Sequence, residues 1–219
     1  MSYEDYALIE AAADNDEALV MKYLEDGADP NTIGDFGWTA LHEACAHSSI
    51  NPKIIRALLD AGAEPNLHTS EGFSCLLLAV QRPDTDVVEM LLDAGANPNH
   101  LSGGRAGPLY YAADSDNPKM VKLLLDKGAD VAKLNKDGDT VLHVLVKEGQ
   151  ERKIYNLIVA GADETVKNKA GESAIDMAKR LADNDKQYNG HTGILRGKLD
   201  RGEDVPHFKP PKRGGFFPI

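Results

Sequence analysis

Two histidines and two cysteines are the side chains whose chemistry first invites a catalytic or metal reading. His42 and His143 are of a type that exchanges protons near neutral pH and binds metals. Cys45, with His47 two residues on, has the composition of a thiolate–imidazole pair. At that spacing on a helix the two side chains leave on different faces, so the pair is not expected to form. Cys45 stands among alanines in a small apolar place and reads as a buried, inert thiol. The chain carries no phosphate loop, HExxH, CxxC or GxSxG. Gly103-Gly104 stands alone and follows no strand. Glu25–Asn31 resembles a calcium loop superficially but lacks alternating oxygen ligands and a closing glutamate. No catalytic residue, metal or cofactor is expected.

The elements that would position these residues come from an internal repeat. Gly-Ala recurs at Gly27, Gly62, Gly95, Gly128 and Gly161, in steps of 35, 33, 33 and 33 residues. Each follows an apolar run whose large residues fall three and four apart, such as IIRALLDA and VVEMLLDA, which puts them on one helix face. Glycine ends such a helix by taking the left-handed conformation at no steric cost. About ten residues later comes a second signature, GWTALHEAC at Gly37, GFSCLLLAV at Gly72, GDTVLHVLV at Gly138 and GESAIDMAK at Gly171. Thr39, Ser74, Thr140 and Ser173 are placed to cap a second helix, and Gly107 replaces them once.

Each unit is therefore a turn, a short helix, a loop and a longer helix. With Thr39-Ala40-Leu41-His42 and Thr140-Val141-Leu142-His143 it resembles the ankyrin repeat. The resemblance implies an all-α ankyrin-repeat solenoid over residues 1–204, with β-hairpin-like turns. Residues 1–33 read as an N-terminal cap, 34–67, 68–100, 101–133 and 134–166 as full repeats, and 167–204 as a C-terminal cap. Residues 4–31 fit a cap because they carry nine acids against one lysine. The 35-residue step places two extra residues around Ser48–Pro52, between two helices. The unit at 101–133 departs most, with Tyr110 in the histidine place. In the resembled family that histidine hydrogen-bonds within and between hairpins, so His42 and His143 are expected in the framework. A solenoid also offers no deep pocket for a paired-carboxylate site.

The resemblance implies a protein-binding module, gripping its partner with hairpin tips and short inner helices. Residues that vary between units at equivalent places are the candidates. On the turns these are Asp35, Phe36 and Trp38, then Glu71 and Phe73, then Arg105, then Asp139; on the inner helices, His47, Gln81, Arg82, Tyr111, Asp114 and Lys147. Large aromatic and arginine side chains dominate interface energetics. Trp38 and Phe73 have a competing reading as a staple between adjacent hairpins. The family is also hydroxylated on the asparagine after Gly-Ala, a place held by Asn31, Asn66 and Asn99. Here each follows proline where the family substrate has an aliphatic residue, and asparagine also fits a tight turn for its own sake.

Net charge is −11, and subtracting the +3 of residues 205–219 leaves −14 on residues 1–204. Such a body repels nucleic-acid phosphates, so the expected partner is another protein, one with a basic surface. No apolar run is long enough to span a membrane, and the acidic start is unlike a secretory signal. The expected setting is the cytoplasm, with the nucleus as the alternative, and the expected state a monomer. Scaffold, kinase or transcription-factor inhibitor, bacterial effector and immunity protein all fit this reading.

Residues 205–219, VPHFKPPKRGGFFPI, combine three basic residues with three phenylalanines. Charge favours their docking on the acidic body of the same chain. Deleting them is then expected to lower the melting temperature. Loss of partner binding at unchanged stability would make them a ligand segment instead.

Overall fold

A computed structural model of the chain describes residues 3–104, 106–113 and 118–184. Arg105, Asp114, the end of the expected C-terminal cap at 185–204 and the 205–219 tail lie outside the described residues. The helices are α1 (Tyr3–Ala13), α2 (Glu17–Glu25), α3 (Ala40–Ala46), α4 (Pro52–Asp60), α5 (Cys75–Ala79), α6 (Thr85–Asp93), α7 (Pro108–Ala112), α8 (Pro118–Asp126), α9 (Val141–Lys147), α10 (Glu151–Val159) and α11 (Ala174–Asn184). Odd-numbered helices pack on one another in one layer, even-numbered ones in a second, and each pair closes within its unit. Among the described residues the only strand-like pairings are single bridges, such as His68 with Ser74 and Lys167 with Ser173.

The outer helices stop where the repeat predicts. Ala28, Ala63, Ala96, Ala129 and Ala162 each donate a backbone bond to the carbonyl five residues back, at 2.8–3.0 Å. The intervening glycines have φ between 88° and 101°. This six-to-one closure needs a left-handed residue just before it, and the alanine that follows is buried against the stack.

The inner helices begin at the predicted caps, with one exception. Thr39, Ser74 and Ser173 accept from the backbone N–H three residues on, at 3.4, 3.3 and 3.2 Å. Thr140 holds the N-cap place but lies 2.6 Å from the His143 ring, and makes no cap bond to the backbone. The two extra residues lie where expected: the loop at 47–51 is two residues longer than its counterpart at 148–150, between inner helices of equal length.

Two polar ladders join the units. In the first, each turn asparagine uses both ends of its amide on the next turn. Asn31 donates to Gly62 O at 2.9 Å and accepts from Glu64 N at 2.7 Å. Asn66 does the same with Gly95 and Asn97, at 2.8 and 2.8 Å, and Asn99 with Gly128 and Asp130, at 3.0 and 2.7 Å. In the second, hairpin backbones touch directly: Ser70 N donates to Phe36 O, Lys136 N to Gly104 O and Lys169 N to Gly138 O, at 2.7, 2.9 and 2.7 Å. Between the second and third hairpins side chains do this work, with His100 Nε2 2.9 Å from Gly72 O and Ser102 Oγ 3.5 Å from Glu71 O.

The asparagine ladder ends at Ala132, which holds the same place but has no amide. Ala132→Asn is expected to extend the ladder to Gly161 and Asp163 and to raise stability by about 1 kcal/mol. Asn66→Ala is expected to lower it by about 2 kcal/mol, since a carbonyl and an N–H lose their partner together. Urea unfolding of the two variants measures both.

Candidate functional site

The residues that looked chemical belong to the stack. His42 lies 2.9 Å through Nδ1 from Thr39 Oγ1 and 3.1 Å through Nε2 from Leu67 O of the next unit. His143 repeats this with Thr140 Oγ1 and Glu172 O, at 2.6 and 2.8 Å. Both rings are fully buried. Cys45 and Cys75 are buried too, and burial together with the neighbouring Cys45 pushes the Cys75 thiol well above its ordinary range. His47 turns to Ser49, away from Cys45.

The candidate binding residues divide into those the stack occupies and those it leaves on the surface. Asp139 is buried, bonded to Lys147 and, at 2.9 Å, to Asn168 Nδ2. Burial pushes its pKa up, but those two bonds outweigh it and hold the carboxyl below its usual value. Asp139 is therefore part of the framework, and with it the Lys147 ammonium. Arg82 donates to Ala46 O of the preceding unit at 2.8 Å, and Gln81 to Leu77 O of its own helix at 2.9 Å. Asp35 and Glu71 are exposed at the hairpin tips. Phe36 is 79% exposed and has φ 54°, a costly backbone for a side chain of that size. Trp38 and Phe73 are half-buried. The Trp38 ring meets His42 of α3 in its own unit, centroids 6.1 Å apart and rings tilted by 59°. Asn31, Asn66 and Asn99 all have their amides engaged in the ladder described above.

Two grooves lie between the hairpins and the inner helices. One, of about 560 Å³, runs between α7 and α9 and includes Tyr110, Tyr111, Val144, Lys147 and Glu148. Tyr110 does not imitate the histidine it replaces: its hydroxyl donates to Glu148 at 2.6 Å, Lys153 Nζ sits 4.5 Å from its ring centroid, and Tyr111 meets it edge-on at 5.4 Å. The other, of about 370 Å³, lies between α1, the first hairpin and α3 and is bordered by Tyr6, Glu10, Asp35, Phe36, Trp38 and Glu43.

Tyr6, Glu10 and Glu43 are residues that sequence reasoning passed over. The signal for Glu43 was present: Glu10 holds the equivalent place in the first unit, but Leu78, Tyr111, Val144 and Met177 hold it in the later ones, so carboxylates there are confined to the first two units. Burial pushes the Glu43 carboxyl above its ordinary value.

A family model described as ankyrin repeats (3 copies) matches residues 8–102 and 100–168. The chain belongs to the ankyrin-repeat family. Ankyrin repeats are protein-interaction modules and typically not catalytic. The ankyrin-repeat domain of Bcl-3, a member of the IκB protein family, superposes with a TM-score of 0.69 at 30% identity, over 87% of this chain and 81% of that one. A chain in the complex of the predatory endopeptidase Bd0816 from Bdellovibrio bacteriovorus with the immunity protein Bd3460 superposes with a TM-score of 0.66 at 31% identity, over 88% and 97%. The human mitochondrial disaggregase is 44% identical over 66 residues, and the mouse 2-5A-dependent ribonuclease 35% identical over 77. Those segments are 30% and 35% of this chain, and the matches span only 9% and 10% of the relatives' own length.

The histidines set a pH dependence. Burial holds His42 below its ordinary value, and burial with the nearby His100 does the same for His68. The unfolded chain therefore takes up protons near pH 6.5 that these folded rings refuse, so stability falls as pH drops through that value. Glu43, shifted upward, opposes this in the carboxylate range. The urea midpoint is expected to fall between about pH 7.5 and pH 5.5, and less so in His68→Gln. A midpoint that stays flat would contradict this.

Proposed function

We propose that this ankyrin array is an adaptor or inhibitor that grips a partner protein with a basic surface across its hairpin tips and inner helices. The observation that carries the reading is a division of labour among side chains. The threonines, histidines and asparagines that recur between units are engaged in stacking, whereas Phe36, Asp35 and Glu71, which vary, stand exposed on the tips. An exposed phenylalanine in a strained conformation is unfavourable for the isolated array and is the kind of group that anchors an interface. The charge of −11 favours association with a basic surface. The similarity to a chain from an endopeptidase–immunity protein complex lends weight to the inhibitor version.

With a captured partner, Trp38→Ala is expected to weaken affinity by about 2 kcal/mol or more, and raised salt to slow association. Val159→Ser, on the exposed side of α10, serves as the control and is expected to leave affinity unchanged. Equal losses at Trp38 and Val159 would contradict the assignment of the face.

A further inference from the structure

We propose that the groove between α1, the first hairpin and α3 is a receptor for one arginine side chain of the partner, its guanidinium taken by Glu43 and flanked by Trp38 and Phe36. This rests on the protein-binding reading above and deepens it.

The two grooves differ in one respect that identifies the occupant. In the groove between α7 and α9 the chain supplies its own cations: Lys153 caps the Tyr110 ring and Lys147 pairs with Asp139. In the groove at α1 and α3, aromatic faces and carboxylates are again brought together, but no lysine or arginine lines it. Glu10, Asp35 and Glu43 have no basic partner among the described residues. Glu43 in particular is half-buried on α3, at a place that Glu10 holds in the first unit and an apolar or aromatic residue holds in the later ones. Partial burial strips water from its carboxylate without replacing it by a cation, which the raised pKa reflects.

A cation that enters this groove gains on both counts. The carboxylate offers a charge-assisted bond, stronger here than in open water. The aromatic faces attract positive charge. Phe36 is 79% exposed and Trp38 half-buried, so both rings have surface left for a ligand. Arginine fits better than lysine. Its guanidinium is planar, stacks on rings and bonds a carboxylate through two parallel N–H groups, while the lysine ammonium is a strongly hydrated point charge.

Trp38 is the only tryptophan, so its indole N–H resonance reports on this groove alone. The full chain is titrated with N-acetyl-arginine methylamide, and in parallel with the lysine and citrulline analogues. The expected result is a saturable shift of that resonance with the arginine compound, with an apparent Kd in the millimolar range that a single side chain can reach. The lysine compound is expected to bind several-fold more weakly, and citrulline, uncharged but of the same shape, not to shift it. Glu43→Gln is expected to weaken the arginine response about tenfold, with the amide spectrum and melting temperature retained. Phe36→Ala, at an exposed position, gives a second variant that does not depend on the core.

Absence of a saturable shift, an equal response to citrulline, or an unchanged response in Glu43→Gln overturns the proposal. A captured partner that needs Trp38 but binds Glu43→Gln as well as the native chain also overturns it, and leaves the protein-binding reading standing. Specific arginine binding without any partner on the hairpin tips and inner helices supports the receptor and removes the broader reading instead.

Discussion

Each unit of this array is too small to satisfy its own backbone, and the neighbouring unit must do it. A turn that ends one helix and starts a hairpin leaves carbonyls and N–H groups with no partner in the same unit, and leaving such groups unpaired away from water is costly. Asn31, Asn66 and Asn99 meet this cost with one amide apiece, binding a carbonyl and an N–H of the next turn. His42 and His143 do the same one layer deeper, tying their own cap threonine to a carbonyl of the following unit. Burial of leucine, isoleucine, valine and alanine in two helix layers supplies the bulk of the driving force. The polar ladders fix the register in which that burial occurs.

The same constraint separates framework from function. A side chain that recurs at a fixed place in each unit does so because the next unit requires it. The surface left over is the row of hairpin tips and the open side of the inner helices, where side chains change from unit to unit. Such a surface is extended and shallow, suited to a protein partner more than to a small substrate. Asymmetry along the array then gives it direction. At one end aromatics and carboxylates stand together without a cation; between α7 and α9, Lys153 of the chain itself lies over the Tyr110 ring and Lys147 pairs with Asp139.

Much of the stack was legible from the sequence because it is repetitive. The Gly-Ala spacing located the helix ends, and the Thr-x-Leu-His pattern located the caps and the buried imidazoles. What a repeat pattern cannot convey is how a side chain is used where units differ. Asp139 occupies a turn place that reads as exposed, yet Asn168 and Lys147 close over it and bury it. Thr140 has the sequence of a helix cap, but its hydroxyl goes to the imidazole beside it. Tyr110 stands in a framework place and turns to Glu148 instead, because with Gly107 at the cap there is no hydroxyl to receive it. Glu43 was missed for the opposite reason: it follows a strong motif, and attention to the motif hides a column that is charged at Glu10 and Glu43 and uncharged in the later units.

The claim on which the functional account depends is that the variable side, of hairpin tips and inner helices, meets the partner and the ladder-bearing framework only supports it. Amide hydrogen exchange of the full chain, with and without its captured partner, measures this most directly. The account predicts added protection over the first and second hairpins and α3, around residues 34–47 and 69–74, with α4, α6 and α10 unchanged. Protection gained instead along α4, α6 and α10, with the hairpins unaffected, would place the partner on the opposite side and contradict it.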